Sequence, residues 1–284
     1  MGVPSSSFAL MLMTNAPDVA AEAIRAGVDR VFVDLEIAGK VERQRGKSTI
    51  ISGHTIEDVR AVRAVVPKGQ LLVRIDPPGD GMRAQVDAVV NAGADIVMLP
   101  YFTTADEVRA FVEALAGRAT SLLLVETAAS LTRIDPILAI EGVDEIHVGL
   151  NDLHRSLGLS FMYEVLASGL LDLVAERVRV CGRPVRFGFG GGALLDAKHP
   201  VAPADVLREH ARLGSTMIIL SRTFTGDAPD AQSLRERVDL AREVERIRAV
   251  LAEARSRPPD AVERDRKRIQ ATIWQAAADL RARA

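Results

Sequence analysis

Cysteine and aromatic residues are scarce in this sequence. Cys181 is the only cysteine, and Phe, Trp and Tyr together make up 4% of the chain. A single cysteine excludes an internal disulfide framework. Because no histidine lies near it in the sequence, Cys181 is better interpreted as a small packed residue than as a nucleophile. No apolar run approaches about 18 residues, and no signal-type segment opens the chain. We therefore expect a cytoplasmic protein without a membrane span.

An excess of charge of either sign is also missing. The chain carries 36 Lys and Arg residues against 38 Asp and Glu residues, which gives a formal net charge of −2. This balance gives no reason to expect nucleic acid or an anionic membrane surface as the main partner. Hydrophobic residues at 48% and charged residues at 26% are typical of a globular protein.

Short apolar segments of strand length alternate with amphipathic segments of helical period, which is typical of parallel α/β proteins. The predicted strands are residues 8–13, 30–36, 70–76, 95–101, 121–127, 145–150, 185–189 and 216–221. Eight such units predict a (β/α)8 TIM barrel over residues 1–226. A doubly wound open sheet is the alternative, but no Gly-x-Gly-x-x-Gly follows the first strand.

A helical extension is predicted after the barrel, over residues 227–284. One helix is indicated by the spacing of Leu240, Val244, Ile247 and Leu251, and the pair Pro258-Pro259 interrupts the pattern. A second apolar stripe follows at Ile269, Ile273, Trp274, Ala277 and Leu280. These stripes need a partner, either their own barrel or a neighbouring subunit, and we favour the neighbouring subunit.

Two carboxylates stand out at the ends of successive predicted strands, Glu126 and Asp152. If the strands are parallel neighbours, both carboxylates lie on the same rim of the barrel, where they suit a hard divalent cation such as Mg²⁺ or Mn²⁺. Ligands with oxygen alone disfavour zinc. The alternative is that both residues are structural, pairing with Arg74 or capping a helix.

Other charged residues close predicted strands near that rim. Asp34 and Glu36 share one face of the second strand, and Arg74 and Asp76 do the same on the third. Charged groups at such positions cost desolvation energy unless they are paired or used. The segment from Gly149 through Leu150 and Asn151 to Asp152 also runs from a strand into a helix start, whose N–H groups suit a carboxylate or phosphate.

The long connection from Ile37 to His54 carries Lys40, Arg43, Arg45 and Lys47. In a barrel this connection lies on the active rim, and loops of this length are often functional. Arg43 and Arg45 are therefore candidates for binding an anionic co-substrate. A solvated basic loop is the alternative.

Five segments together resemble a known family. They are Val33-Asp-Leu-Glu, Leu72-Val-Arg-Ile-Asp, Gly93-Ala-Asp-Ile-Val-Met-Leu-Pro, Leu124-Val-Glu-Thr and Val143-Asp-Glu-Ile-His-Val-Gly-Leu-Asn-Asp-Leu. In this order, over roughly residues 8–224, they resemble the HpcH/HpaI aldolase and citrate lyase family. The resemblance implies a modified (β/α) barrel of the phosphoenolpyruvate and pyruvate superfamily. It also implies a homo-oligomer, a trimer or a hexamer, whose last helix is exchanged between subunits.

The resemblance also implies roles for individual residues. Glu126 and Asp152 would bind a divalent cation, Mg²⁺ or Mn²⁺. Arg74 would contact the oxygen of an enolate, and the backbone from Gly149 to Asp152 would hold the carboxylate of a 2-oxo acid such as pyruvate. The implied reaction is aldol cleavage or condensation of a 2-oxo acid with an aldehyde. Asp34 and Glu36 complete the predicted catalytic cluster.

One position departs from the aldolase pattern. The pyruvate aldolases of the family carry a histidine after the glutamate of the second strand, whereas Ile37 follows Glu36 here. His54 and a metal-bound water are then candidates for proton transfer, and for His54 a plain loop residue is the alternative. The citrate lyase β-subunit branch keeps Asp-Leu-Glu at this point, so an acyl-CoA thioester lyase is the second function considered. A barrel that binds a ligand without turnover is the third.

Overall fold

A computed structural model describes residues 8–37, 54–222, 224–226 and 228–283. Its eight parallel strands form a closed barrel in the order of the chain. The strands are β1 Ala9–Met13, β2 Arg30–Asp34, β3 Leu71–Arg74, β4 Ile96–Leu99, β5 Thr120–Val125, β6 Glu145–Val148, β7 Arg186–Phe189 and β8 Met217–Leu220. Ala9 pairs with Met217 where β1 closes the barrel on β8. The predicted (β/α)8 barrel is confirmed.

Side chains alternate between the inside of the barrel and its helical coat, as the two-residue period of a strand requires. Phe32, Leu72, Met98 and Leu124 belong to the cluster that fills the interior. Their neighbours along the strands join a larger cluster beneath the helices. Several strands end earlier than predicted, and β2 stops at Asp34 rather than Glu36. The charged residues therefore lie at or just beyond the ends of the hydrogen-bonded ladder, where the barrel opens to a rim.

Helices follow each strand. Those of the barrel are α1 Pro17–Arg25, α2 Ile56–Arg63, α3 Met82–Asn91, α4 Ala105–Leu115, α5 Ala128–Thr132, α6 Ile134–Leu138, α7 Leu150–Ser156, α8 Glu164–Ala167, α9 Leu170–Val180 and α10 Pro203–Arg212. Local sequence explains their starts: Thr55 and Asp58 form a capping box at α2, and Thr104 and Glu107 form another at α4.

The C-terminal residues form α11 Ala231–Arg237, α12 Leu240–Arg255 and α13 Pro259–Arg283. The stripe of α12 packs with Phe8 and Leu207 in a second apolar cluster. Ile269 and Ile273 of α13 are fully buried in the main core of their own barrel. In the described part of the chain, no helix is both long enough and apolar enough to cross a membrane.

Candidate active site

Arg74, the last residue of β3, is held at the rim by two carboxylates. Its Nε and Nη2 each donate to one oxygen of Asp34, both at 2.9 Å, and Nη2 lies 3.3 Å from Glu36 Oε2. The guanidinium also lies over the Phe32 ring, 5.5 Å from its centroid. Burial lowers the pKa of Arg74, but Asp34, Glu36 and Glu126 raise it above its ordinary value. Arg74 is therefore a fixed cation with little freedom to turn.

Asp34 and Glu36 are themselves buried, at 0% and 2% exposure. The Glu36 N–H donates to Asp34 Oδ1 at 3.2 Å, so the turn after β2 is bonded to the same carboxylate that holds Arg74. Next in the chain, the Ile37 N–H donates to Asp76 Oδ1 at 2.7 Å. Gln85 of α3 holds that carboxylate through Oδ2 at 3.2 Å. The exits of β2 and β3 are thus joined by charged hydrogen bonds.

Glu126 follows β5 and is 3% exposed. Its Oε1 accepts the backbone N–H of Tyr101 at 3.1 Å. On the other side lies Gly149, where an added Cβ would stand 2.9 Å from Glu126 Oε2. β5 and β6 are parallel neighbours with Val125 opposite Val148. The carboxylate therefore lies between the exits of β4 and β6, on the same rim as Arg74.

Asp152 lies in the first turn of α7, directly after β6. It is not the N-cap residue, because Gly149 holds that place. Its carboxylate is partly exposed and lies 3.4 Å from Arg155 on the next turn of the helix. Asp152 does not cap α7, and the side-chain hydrogen bonds of Arg74 go to Asp34.

The predicted anion-binding turn begins at Gly149, whose N–H donates to Val125 O at 3.0 Å as a continuation of the sheet. Leu150, Asn151 and Asp152 then form the first turn of α7. N–H groups of a first helical turn have no acceptor within their own helix. In this turn, the groups that suit a ligand carboxylate would come from residues 150–152.

His54 lies beside the end of β2. The Asp34 N–H donates to His54 Nδ1 at 3.1 Å. An imidazole that accepts at Nδ1 and is neutral carries its proton on Nε2, so this contact favours one tautomer. The structure therefore brings a histidine to the rim from the far end of the long loop, although Ile37 stands directly after Glu36.

Two predicted binding residues, Arg43 and Arg45, lie outside the described residues, as do Lys40 and Lys47. Among the residues that are described, no group of three or more His, Cys, Asp and Glu side chains is arranged as a metal site. Sequence reasoning missed Tyr101, a residue with φ of 54° whose N–H contacts Glu126. The Leu99-Pro-Tyr segment gave no signal for this conformation.

The site can be compared with known proteins. The model of the HpcH/HpaI aldolase/citrate lyase family matches residues 8–187. A 2-keto-3-deoxy-L-rhamnonate aldolase of Escherichia coli is 28% identical over 211 residues, covering 63% of this chain and 73% of that protein. A hydroxypyruvate/pyruvate aldolase of Sagittula stellata is 30% identical over 131 residues, covering 36% of this chain and 51% of that protein.

Solved structures show the same fold. A citrate lyase beta subunit from M. tuberculosis, complexed with oxaloacetate and magnesium, has a TM-score of 0.59 and 18% identity, covering 89% of this chain and 98% of that one. An HpcH/HpaI aldolase/citrate lyase family protein from Burkholderia cenocepacia has a TM-score of 0.59 and 19% identity, and the match covers 89% of this chain and 96% of that one. Since the family match spans more than half of the sequence, this chain belongs to the HpcH/HpaI aldolase/citrate lyase family.

Proposed function

We propose that the protein is a divalent-metal-dependent carbon–carbon lyase or aldolase that acts through a pyruvate-type enolate. The observation that carries the proposal is the fixed guanidinium of Arg74, held by Asp34 on the same rim as the buried carboxylate of Glu126. Catalysis of this class needs a preorganised cation where negative charge develops on oxygen. The aldolase relatives support the same reaction class.

Glu126 and Asp152 are the proposed ligands of Mg²⁺ or Mn²⁺. Both offer carboxylate oxygens, which suit hard cations. Gly149 fits this use, because a side chain at that position would press against Glu126 Oε2. When bound, the cation acts as a Lewis acid that stabilises negative charge on the oxygens of a 2-oxo acid. The magnesium and oxaloacetate of the structural neighbour belong to a protein of the same fold.

Arg74 is proposed to contact the enolate oxygen. Asp34 fixes its Nε and Nη2, and Glu36 lies against the same Nη2, so Asp34 and Glu36 act by orienting the guanidinium rather than by moving protons. Little reorganisation is then needed as the charge develops. The first turn of α7, residues 150–152, would hold the carboxylate of the 2-oxo acid.

His54 is the proposed polar partner for an acceptor oxygen. Because Nδ1 accepts the Asp34 N–H, the neutral ring presents a donor at Nε2. In this arrangement His54 donates a hydrogen bond, and it serves as a general base only after it leaves the Asp34 contact. Replacing His54 by Gln, which keeps a donor, should therefore retain more activity than replacing it by Phe.

The test of the proposal is exchange of the pyruvate methyl protons in deuterated buffer, followed by NMR. We expect exchange that EDTA abolishes and Mn²⁺ restores. We also expect Glu126→Gln to lower the rate by at least about 10²-fold while the thermal unfolding curve stays close to that of the wild type. Exchange that is absent, or that is indifferent to EDTA, would contradict the proposal.

A thioester lyase is the second candidate, and Ile37 is the observation that favours it. This residue stands where the aldolase pattern has histidine, and it is 50% exposed with its N–H bonded to Asp76. Incubation with acyl-CoA esters and, separately, with 2-oxo acids plus free aldehydes decides between the two. Turnover of CoA esters, without turnover of free aldehydes, would show that the protein is a thioester lyase and not an aldolase.

For the loop outside the described residues, we propose that Arg43 and Arg45 bind an anionic acceptor. Replacing both by Ala should raise the KM for a phosphorylated or carboxylated aldehyde several-fold, with a smaller effect on a neutral aldehyde. An unchanged ratio of the two KM values would remove the idea.

We also propose a homo-oligomer, a trimer or hexamer, in which α13 takes part in subunit contacts. The monomer places α13 on its own barrel through Ile269 and Ile273, so exchange between subunits would replace these contacts by equivalent ones. Light scattering of a chain that ends at Arg257 should show a smaller assembly than the full chain, and an equal subunit number would refute the exchange.

A further inference from the structure

The amino end of the barrel, its floor, contains a cavity of about 1150 Å³. The turns that lead into β3 to β7 form this floor cavity, together with Arg30 at the start of β2. Pockets for drug-sized ligands measure about 300–1,000 Å³, so the floor cavity is large enough for a small molecule. Because the rim lies at the other end of the strands, the floor cavity is separate from the candidate active site.

Two guanidinium groups share one carboxylate in this cavity. Arg30 donates to both oxygens of Glu145 at 2.6 and 2.7 Å, and Arg186 donates to Oε1 at 3.0 Å. All three residues line the floor cavity. With Glu145 ionised, the group keeps one positive charge in excess. Burial lowers the pKa of Arg186, and the charge of Arg30 adds to this effect, so the pKa stays below its ordinary value despite Glu145.

Arg186 also retains hydrogen-bonding capacity. Its Nη1 donates to Glu145, and its Nη2 donates to Thr216 O at 3.2 Å. Its Nε is buried and has no hydrogen-bond partner among the described residues. A buried donor without an acceptor is costly, and 28% of the side chain is exposed, so the guanidinium is not locked in place on all sides. The excess charge and the unused donor both favour an additional anion beside Arg186.

The acidic residues that line the cavity besides Glu145 already have partners. Asp95 forms an ion pair with Arg63 and accepts the Leu71 N–H at 3.0 Å. Asp144 accepts the Ser121 N–H at 2.8 Å. Both carboxylates serve to join neighbouring turns of the floor. The acidic side of the cavity is therefore used within the fold, which argues against a cationic ligand.

One lysine of the cavity is not used in this way. Lys68 precedes β3, is exposed, and makes no hydrogen bond or ion pair with any residue that the structure describes. Arg118 of the same cavity, by contrast, pairs with Asp87 and donates to Ala114 O at 2.7 Å. Strands β3 and β7 lie on opposite sides of the eight-stranded barrel. Lys68 and Arg186 therefore approach the cavity from opposite sides.

We propose that the floor cavity binds a small polyanion, with Lys68 on one side and the pair of Arg30 and Arg186 on the other. The charged oxygens of this ligand are phosphate or carboxylate groups, since both accept from ammonium and guanidinium donors. Cations on opposite sides favour a ligand with more than one anionic group. The inference is independent of the proposed function, because no rim residue takes part in it.

The test is titration calorimetry of the full chain with two probes, tripolyphosphate and tricarballylate. Buffer with EDTA and about 150 mM salt excludes metal-mediated binding at the rim and screens weak attraction to the surface. We expect saturable one-to-one binding of at least one probe, which should also raise the unfolding temperature. The probe that binds more tightly distinguishes a phosphate ligand from a carboxylate ligand.

Three variants identify the site. Lys68→Ala should raise the Kd by about threefold or more, and Arg186→Gln by about tenfold or more, as loss of a charge-assisted hydrogen bond does. Glu145→Gln should lower the Kd, because the carboxylate that competes for both guanidinium groups is removed. A floor group that served stability alone would not bind the probe more tightly after this change.

Lys198→Ala is the matched control. Lys198 is exposed and lies outside the floor cavity, so its removal changes the net charge equally and should leave the Kd within about twofold of the wild type.

Absence of binding of both probes overturns the inference. A Kd that is the same in Lys68→Ala and Lys198→Ala also overturns it, and a Kd that rises only in Arg74→Lys places the anion at the rim instead. None of these outcomes bears on the proposed lyase or aldolase reaction. Should Arg186→Gln fail to fold, Lys68→Ala decides, since Lys68 is exposed.

Discussion

Each end of the barrel carries an ionic group that is largely buried, and the arrangement of charges is opposite in the two groups. At the carboxyl-end rim, one guanidinium, Arg74, contacts the carboxylates of Asp34 and Glu36. At the amino-end floor, one carboxylate, Glu145, lies between two guanidinium groups. Arg30 binds both of its oxygens at 2.6 and 2.7 Å, and Arg186 binds Oε1 at 3.0 Å.

The two ionic groups differ in their surroundings. The rim group stands beside turns that carry Glu126 and the start of α7, where backbone and side chains can meet a ligand. The floor group joins β2, β6 and β7 across the inside of the barrel, as expected of residues that serve stability at this face. Burial lowers the pKa of both guanidinium groups, but Asp34, Glu36 and Glu126 raise the pKa of Arg74 above its ordinary value, whereas the pKa of Arg186 stays below its ordinary value despite Glu145.

The largest expected effect is at the floor. Glu145→Gln leaves the buried Arg30 and the partly buried Arg186 without their carboxylate, which should lower the free energy of unfolding by about 3–5 kcal/mol. The rate of pyruvate proton exchange per folded molecule should stay near that of the wild type. Urea unfolding checks the first expectation. Glu176→Gln, which breaks an exposed pair with Arg179 on α9, is the control and should change stability by less than about 0.5 kcal/mol.

The same substitution, Arg to Lys, can be made at both ends of the barrel. Arg74→Lys loses the two-point contact with Asp34 and should lower the exchange rate by about 10²–10³-fold, or about 2.7–4 kcal/mol in activation free energy. Arg186→Lys should lower stability while leaving the rate within about twofold. An exchange rate that falls equally in Arg74→Lys and Arg186→Lys would show that the floor residues affect the reaction as much as the rim residues do.

A smaller effect comes from His147, which lies between the two ends. It is 1% exposed, and burial, with a further contribution from Arg30, lowers its pKa to about 3. The pKa of His147 in the folded protein lies below its value of about 6.5 in the unfolded chain. The contribution of His147 to stability is therefore complete above pH 6.5 and is lost as the pH falls from there towards 3. Between pH 7.5 and 5 the loss should be about 2 kcal/mol.

His147→Phe should remove this part of the pH dependence, as measured by urea unfolding at both pH values. His210 is also buried with a lowered pKa, so some dependence should remain. His199, on an exposed loop, provides the control variant His199→Phe, for which the loss between pH 7.5 and 5 should match the wild type. An unchanged pH dependence in His147→Phe would show that the His147 ring has the same pKa in the folded and unfolded states.

Much of this architecture could be predicted because short apolar segments of the sequence indicate the strands directly. Apolar strand segments such as Leu122 to Val125 are buried, and parallel strands covered on both faces are typically near-continuous apolar runs. Charged residues that end such strands, Asp34 and Arg74 among them, meet on one rim because parallel strands all exit at the same end. The cluster at the rim follows from that topology.

The contacts within the cluster could not be predicted in this way. That Arg74 hydrogen-bonds Asp34 and not Glu126 depends on register and side-chain direction, which strand order alone does not give. The left-handed Tyr101 carries no glycine or asparagine signal, and the packing need for Gly149 is visible only once Glu126 is placed beside it. His54 reaches Asp34 from a distance of 20 residues along the chain.

The pairing of Ala9 with Met217 has a consequence for folding during synthesis. During synthesis β1 emerges before its partner β8, which follows about two hundred residues later. Until then both edges of a growing parallel sheet stay open, and open edges invite pairing with other chains. The floor contact between Arg30 and Glu145, 115 residues apart, also has to wait for β6. We expect refolding to be slow, because the entropy of closing such a long loop is lost before the long-range contacts stabilise the fold. We also expect it to need dilute protein, since open strand edges can pair with other chains.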